Sequence, residues 1–229
     1  MNLVLFDLDD TLLSGDTDVE WLNFLVERGA APASAAKANA EMDRRYGSGE
    51  AGALEYVRFY LRFYPPHDMT TLLAWRAEFL KRSIIPRIPD AARRLVQSHR
   101  NDLVAIITAT NRFLTEPIAA AFGVEHLIAT EPQIVNDRFT GDVAGVPCMR
   151  KGKIEHLEAW LASRGAALAD YSESCFYADS INDLPLLERV THPVAVDPDA
   201  GLEEIARSRG WRRLILRAEP AARGGPSPI

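Results

Sequence analysis

Asp7 and Asp9 stand two residues apart where an apolar run, Leu3-Val4-Leu5-Phe6, stops. Four or five apolar residues bounded by polar ones fit a strand buried on both faces. Residues i and i+2 of an extended chain point to the same side, so both carboxylates can reach one site. Two like charges that close call for a counter-charge. Asp oxygens suit Mg²⁺, a hard ion held by one or two carboxylates together with substrate phosphate. Taken alone, the segment equally fits a strand ending in a polar turn, where Asp is common.

Three further segments carry chemistry. Thr108-Ala109-Thr110-Asn111 follows a second apolar strand and precedes a helix. A hydroxyl with free backbone N–H groups at a helix N-terminus makes a phosphate site, and a Thr N-cap is the plainer reading. Lys151-Gly152-Lys153 opens another helix, where the macrodipole disfavours cations. The pair is either solvated or placed to meet a phosphate or carboxylate. Lys153 is favoured over Lys151, because it lies three residues before His156 and four before the apolar Leu157. Asp179 ends the strand Cys175–Ala178, and Asp183 follows one turn later at a helix start. The helix dipole accounts for Asp183. It accounts less well for Asp179, which extends a buried strand into the rim expected to hold Asp7.

These positions need strands that deliver them to one edge. After the first strand, residues 16–82 carry helical pattern only. The first helix is capped near Asp16, an Ala-rich helix covers Ala30–Ala40, and a break falls at Tyr46–Gly49. Another helix ends at Pro65-Pro66, and one more is capped by Asp68. Strand and helix then alternate: helix Asp90–His99, strand Leu103–Ile107, helix Phe113–Phe122 with Pro117 near its first turn, and strand His126–Ala129. Asn136-Asp137 reads as a hairpin turn. A helix over Lys153–Ser163 and short strands Cys175–Ala178 and Val194–Val196 follow. The alternation predicts an α/β fold with a doubly wound parallel sheet, whose chemistry sits at the carboxyl ends of its strands.

The 229 residues are 47% hydrophobic and carry a net charge of −6. That is enough for a real core, and it argues against a general nucleic-acid or anionic-membrane binder. No apolar run is long enough to span a bilayer. Met1 leads directly into the first strand, leaving no room for a signal peptide, and the two cysteines, Cys148 and Cys175, make no disulfide framework. A reduced, cytoplasmic setting is expected. The oligomeric state is left open.

Taken in order, the acid pair, hydroxyl, lysine and second acid pair resemble the haloacid dehalogenase superfamily of phosphohydrolases, and the helical insert after the first motif is similar to that of its phosphoserine phosphatase-like subgroup. The resemblance implies a Rossmann-like core over residues 1–14 and 84–217, an inserted helical cap over 15–83, and a disordered tail over 218–229. It implies Asp7 as nucleophile and Asp9 as the acid that protonates the leaving alcohol and later deprotonates water. The superfamily's dehalogenases lack that second Asp, so phosphate ester cleavage is favoured. Mg²⁺ is expected on Asp7, the Asp9 carbonyl and Asp179, with Asp183 ordering a water or Lys153. Thr108, the Ala109 N–H and Lys153 are expected on the phosphoryl oxygens. Asp16 stands where the subgroup has a substrate-reading Glu, and Ala178 replaces its usual Gly. With Asn182 and Arg45, Asp16 makes up the candidate substrate contacts. Arg44, Arg58 and Arg62 are further cap cations. The implied activity is hydrolysis of a small phosphorylated metabolite such as phosphoserine or histidinol phosphate. Phosphotransfer through the same intermediate, and a non-catalytic ligand-binding module, are the alternatives.

Overall fold

In a computed structural model that describes residues 2–217, β1 (Leu3–Phe6) is buried at every position. Leu3 and Leu5 point into one apolar cluster, and Val4 and Phe6 into another on the opposite face. A strand covered on both faces belongs to a parallel sheet flanked by helices. The remaining strands are β2 (Leu103–Asn111), β3 (His126–Thr130), β4 (Pro132–Val135), β5 (Arg138–Val143), β6 (Ser174–Ala178), β7 (His192–Val196) and β8 (Arg212–Leu214). Six of them form a parallel sheet in the order β3-β2-β1-β6-β7-β8. The order reverses beside β1, so a crevice opens at the carboxyl end of β1 between β2 and β6. Phe6 is paired with both Ile106 and Tyr177. Asp7, Thr108 and Asp179 therefore leave three neighbouring strands at one rim.

Four helices follow β1 as an insert: α1 (Thr17–Glu27), α2 (Ala35–Gly47), α3 (Ala53–Leu61) and α4 (Met69–Phe79). They are followed by α5 (Asp90–Ser98), α6 (Arg112–Phe122), α7 (Lys151–Ser163), α8 (Leu184–Leu187) and α9 (Ala200–Arg209). The insert packs through aromatic rings that join the core on one face of the sheet; Trp21 stacks on Phe24 at 5.3 Å and meets Phe79 edge-on at 5.1 Å. β4 and β5 form the antiparallel hairpin, and Asn136 and Asp137 take φ of 49° and 60°. That is the double left-handed geometry a two-residue turn demands. Arg58 of α3 grips Asp142 of β5 with two bonds of 2.7 Å, tying the hairpin to the insert. Among the described residues no helix is long and apolar enough to cross a membrane.

Several boundaries differ from expectation. The Ala-rich stretch is not one helix from Ala30: Gly29 takes φ of 71°, Pro32 follows, and α2 starts at Ala35. β2 continues past Ile107 to Asn111, so Thr108 is a strand residue and Asn111 caps α6 by accepting from the Leu114 N–H at 3.3 Å. Pro117 lies in the second turn of α6, not near its first. A proline there cannot donate to the Phe113 carbonyl, and the Arg76 guanidinium of α4 donates instead at 2.6 Å. β8 and α9 had no clear counterpart in the sequence reading. The tail expected to be disordered lies outside the described residues.

Candidate active site

Asp7 emerges from β1 with its N–H held by the Tyr177 carbonyl at 2.9 Å. One carboxylate oxygen accepts from Lys153 Nζ at 2.6 Å, and Lys153 also donates to Asp183 at 2.7 Å. The lysine is 2% exposed. It reaches the site because α7 opens on a turn that only glycine permits: a β-carbon on Gly152 would meet the Pro147 carbonyl oxygen at 2.2 Å. Lys151 stays exposed on the outer side. Thr11 Oγ1 bridges the other half of the cluster, donating to Asp179 at 2.9 Å and lying 3.3 Å from Asp7 Oδ2. One hydroxyl between two carboxylates keeps them close.

Asp9 is held on both oxygens. Its Oδ1 accepts from the Thr17 N–H at 2.9 Å and from the Thr17 hydroxyl, and its Oδ2 accepts from Thr110 Oγ1 at 2.7 Å. Burial, joined by the charge of Asp16, still lifts its carboxyl to about 8, against the pull of those donors. Asp179 is likewise lifted to about 8 by burial and by Asp7. Asp183 rises to about 6, because burial outweighs the lowering by Lys153. Burial pulls Lys153 down, but Asp183 and Asp7 carry it above the ordinary lysine value.

Asp7, Asp9, Asp179, Asp183, Thr110 and Lys153 line one cavity of about 370 Å³. Thr108, 1% exposed, and Ala109 lie on the wall of the same cavity as Lys153. Eight aspartates face the cavity against one lysine and one arginine. Among the described residues no group of three or more His, Cys, Asp or Glu side chains is arranged as a metal cage. The oxygen-only, strongly acidic rim instead fits a hard cation held by two carboxylates and a carbonyl, with further ligands from outside the chain.

The insert forms the opposite wall. Asp16 serves two places at once: it caps α1 by accepting from the Val19 N–H at 3.0 Å, and it lines the cavity, lifted to about 6 chiefly by burial. Asn182 is at the cavity and accepts from Arg150 Nε at 3.0 Å. Arg45 is not there. It pairs with Glu55 at 2.8 Å on the outer surface, since each helical residue advances by about 100° and α2 turns Asp43, Tyr46 and Gly47 inward. Arg44 pairs with Glu41 and Glu50, Arg58 with Asp142, and Arg62 lies over the Phe59 ring. No lysine or arginine of residues 16–82 lines the cavity.

The sequence reading missed Asp18, Asp43, Tyr46, Tyr56, Thr110 and Arg150. Asp18 is buried and accepts from Asn111 Nδ2 at 3.1 Å, its carboxyl raised by burial and then by Asp16. Asp43 accepts from Tyr56 at 3.0 Å and from Asn39 at 3.1 Å, and Tyr60 closes the ring with bonds to both Asn39 and Tyr56. The spacing of Asp43, Tyr46 and Gly47, at i, i+3 and i+4, was the available signal for that wall.

A doubly wound sheet with a helical insert behind its first strand, gathering acids, a buried lysine and a hydroxyl at its switch point, is an α/β hydrolytic enzyme of a recognisable kind. The model of the haloacid dehalogenase-like hydrolase family matches residues 4–188, and the chain belongs to that family. It is 39% identical over 222 residues to a histidinol-phosphatase of Neisseria meningitidis serogroup C (strain 8013), covering 94% of this chain and 99% of the relative. A solved protein of unknown function from Bordetella pertussis Tohama I is 46% identical, with a TM-score of 0.90 over 94% of this chain and 98% of that one. A phosphoserine phosphatase caught as a phospho-aspartyl intermediate analogue shares the fold at 20% identity, with a TM-score of 0.67 over 95% of this chain and 94% of that one. The chain is a phosphomonoesterase of this family.

Proposed function

We propose that the chain hydrolyses a small cationic phosphomonoester, histidinol phosphate in preference to phosphoserine, in a Mg²⁺-dependent reaction through a phosphorylated Asp7. Asp7 attacks phosphorus with the oxygen that Lys153 leaves free. The covalent step divides one displacement into two easier ones. Asp9, which burial keeps protonated near neutrality, gives its proton to the leaving alkoxide and then takes one from the attacking water, the task for which a carboxyl poised near the working pH is suited. Thr108, the Ala109 N–H and Lys153 meet the charge on the transferring oxygens. Asp183 holds Lys153 in place. Asp7, Asp179 and the Asp9 carbonyl are the donors that would hold Mg²⁺. The ion, when bound, offsets the repulsion between an anionic nucleophile and an anionic phosphate. Residues 15–83 act as the cap and 1–14 with 84–217 as the core.

The substrate preference rests on one observation: the insert's wall presents Asp16, Asp18 and Asp43 and no cation. An ammonium and an imidazole are attracted there. A substrate carboxylate is repelled, at about 1–4 kcal/mol for a like charge at 4 Å near a surface. The full-length similarity to a histidinol-phosphatase supports the same reading. Turnover of para-nitrophenyl phosphate with Mg²⁺, abolished in Asp7→Asn, is expected. So is a kcat/KM for histidinol phosphate at least about tenfold above that for phosphoserine, the ratio one contact of ~1.4 kcal/mol gives. Equal or reversed preference overturns the substrate assignment, and activity that survives Asp7→Asn overturns the mechanism.

A further inference from the structure

The Tyr46 hydroxyl is buried and makes no well-formed hydrogen bond, although the Arg150 guanidinium approaches it. Its residue is 7% exposed, yet it lines the catalytic cavity. A buried polar atom left unpaired costs about 1–3 kcal/mol, so its retention calls for a partner that arrives later. The ring is firmly placed. The Arg150 guanidinium lies 4.3 Å from its centroid, and the Tyr56 ring packs against it, tilted, at 4.5 Å. Arg150 holds this pose on a backbone of φ 50° and ψ −122°, a conformation strained for a residue with a β-carbon. Such strain is characteristic of functional positions. Asn182 fixes the same guanidinium through Nε at 3.0 Å. The charged groups that bear on the Tyr46 phenol are Arg150, through its charge and its approach to the hydroxyl, then Asp183 and Lys153. They belong to the lysine end of the cavity, where the phosphoryl group is expected. Burial raises the phenol above its ordinary value, so the hydroxyl keeps its proton and can donate.

We infer that the Tyr46 hydroxyl donates a hydrogen bond to a phosphoryl oxygen of the bound phosphomonoester, with Arg150 behind it as counter-charge. The inference rests on the phosphatase reading above. It makes the insert a contributor to phosphate binding as well as to leaving-group selection.

The test compares wild type with Tyr46→Phe in the full chain with Mg²⁺. It reads inhibition by inorganic phosphate, KM and kcat on para-nitrophenyl phosphate, and the Tm of the ligand-free protein. Tyr46→Phe is expected to raise the phosphate Ki and the KM together by roughly tenfold, the value of one hydrogen bond to a charged group. The ligand-free Tm stays unchanged or rises, since the hydroxyl has no well-formed hydrogen bond to lose. An unchanged phosphate Ki overturns the inference, and does so even if KM for an amino-bearing substrate shifts, because the hydroxyl then reads the leaving group. A fall in Tm with unchanged Ki assigns it a packing role and overturns the inference as well. If Asp7→Asn abolishes turnover while Tyr46→Phe changes nothing, the phosphatase reading stands alone. If wild type neither turns over the ester nor is inhibited by phosphate, both are overturned.

Discussion

Lys153 Nζ and Asp7 Oδ1 lie 2.6 Å apart across 146 residues of sequence, and the lysine's second bond, 2.7 Å to Asp183, is equally shielded from water. The pair fixes the rotamer of the proposed nucleophile and compensates two buried carboxylates with one ammonium. Lys153→Met keeps the stem and removes the charge. It is expected to cost about 3–5 kcal/mol, the range found when one partner of a buried pair is deleted, and to abolish turnover. Urea unfolding measures the first quantity. A cost below about 1 kcal/mol contradicts the compensation argument.

Stability of the metal-free protein should fall as pH rises. Asp9 and Asp179 are held at about 8 when folded, against an unfolded value of 3.8. Between those limits the folded protein binds protons that the unfolded chain has released, so the stability these groups confer is fullest below about 4 and is lost progressively up to about 8. Thermal melts across pH 5–8 in EDTA should show Tm decreasing, and Asp9→Asn should flatten the slope. Added Mg²⁺ should raise Tm most at the alkaline end, where Asp179 is ionised. A Tm that climbs with pH over this window is the opposite sign and rejects the assignment.

Asp43 should set selectivity without serving the phosphoryl step. Asp43→Asn keeps bonds to Tyr56 and Asn39 within reach and removes the charge. A hydrogen bond to a charged group is worth about 1.5–3 kcal/mol, so kcat/KM on histidinol phosphate should drop about 10- to 100-fold. The value on para-nitrophenyl phosphate, which carries no cation, should change less than about threefold. Equal losses on both substrates refute the role.

Arg76 and Pro117 should be energetically coupled through the Phe113 carbonyl. Arg76→Met leaves that carbonyl unpaired at a cost of about 1–3 kcal/mol. Pro117→Ala supplies the missing N–H from within α6, so the Arg76→Met penalty should shrink in its presence. A double-mutant cycle on unfolding free energies measures the coupling, and additive values reject it.

Much of the site could be read from the sequence because each strand delivers its polar group at the residue where burial ends. Asp7 follows Phe6, and Asp179 follows Ala178. Apolar runs that stop at a carboxylate are visible without any knowledge of pairing. Lys153 could be separated from Lys151 by its helical phase relative to Leu157. The insert was harder. Its helices were legible, but which faces turn to the cavity depends on packing. Arg45 was therefore expected inside, while Asp43 and Tyr46, one helical face away, went unnoticed. Thr110 and Asn111 were hidden because β2 runs four residues past its apolar segment, held by pairing with β3 rather than by hydrophobicity. α9 and β8 combine weak periodicity with charged residues. β8 is only three residues long and owes its place to β7.

The central claim is that Asp7 carries the phosphoryl group between two chemical steps. Its most direct test is acid quench of Asp9→Asn during turnover of para-nitrophenyl phosphate. This variant slows release of the intermediate by removing the group that activates water. Borohydride reduction follows, with peptide mass analysis. The account predicts conversion of position 7, and no other carboxylate, to homoserine in the substrate-treated sample only. Full turnover with Asp7 unmodified at every quench time, and phosphate released in a single step, contradicts it.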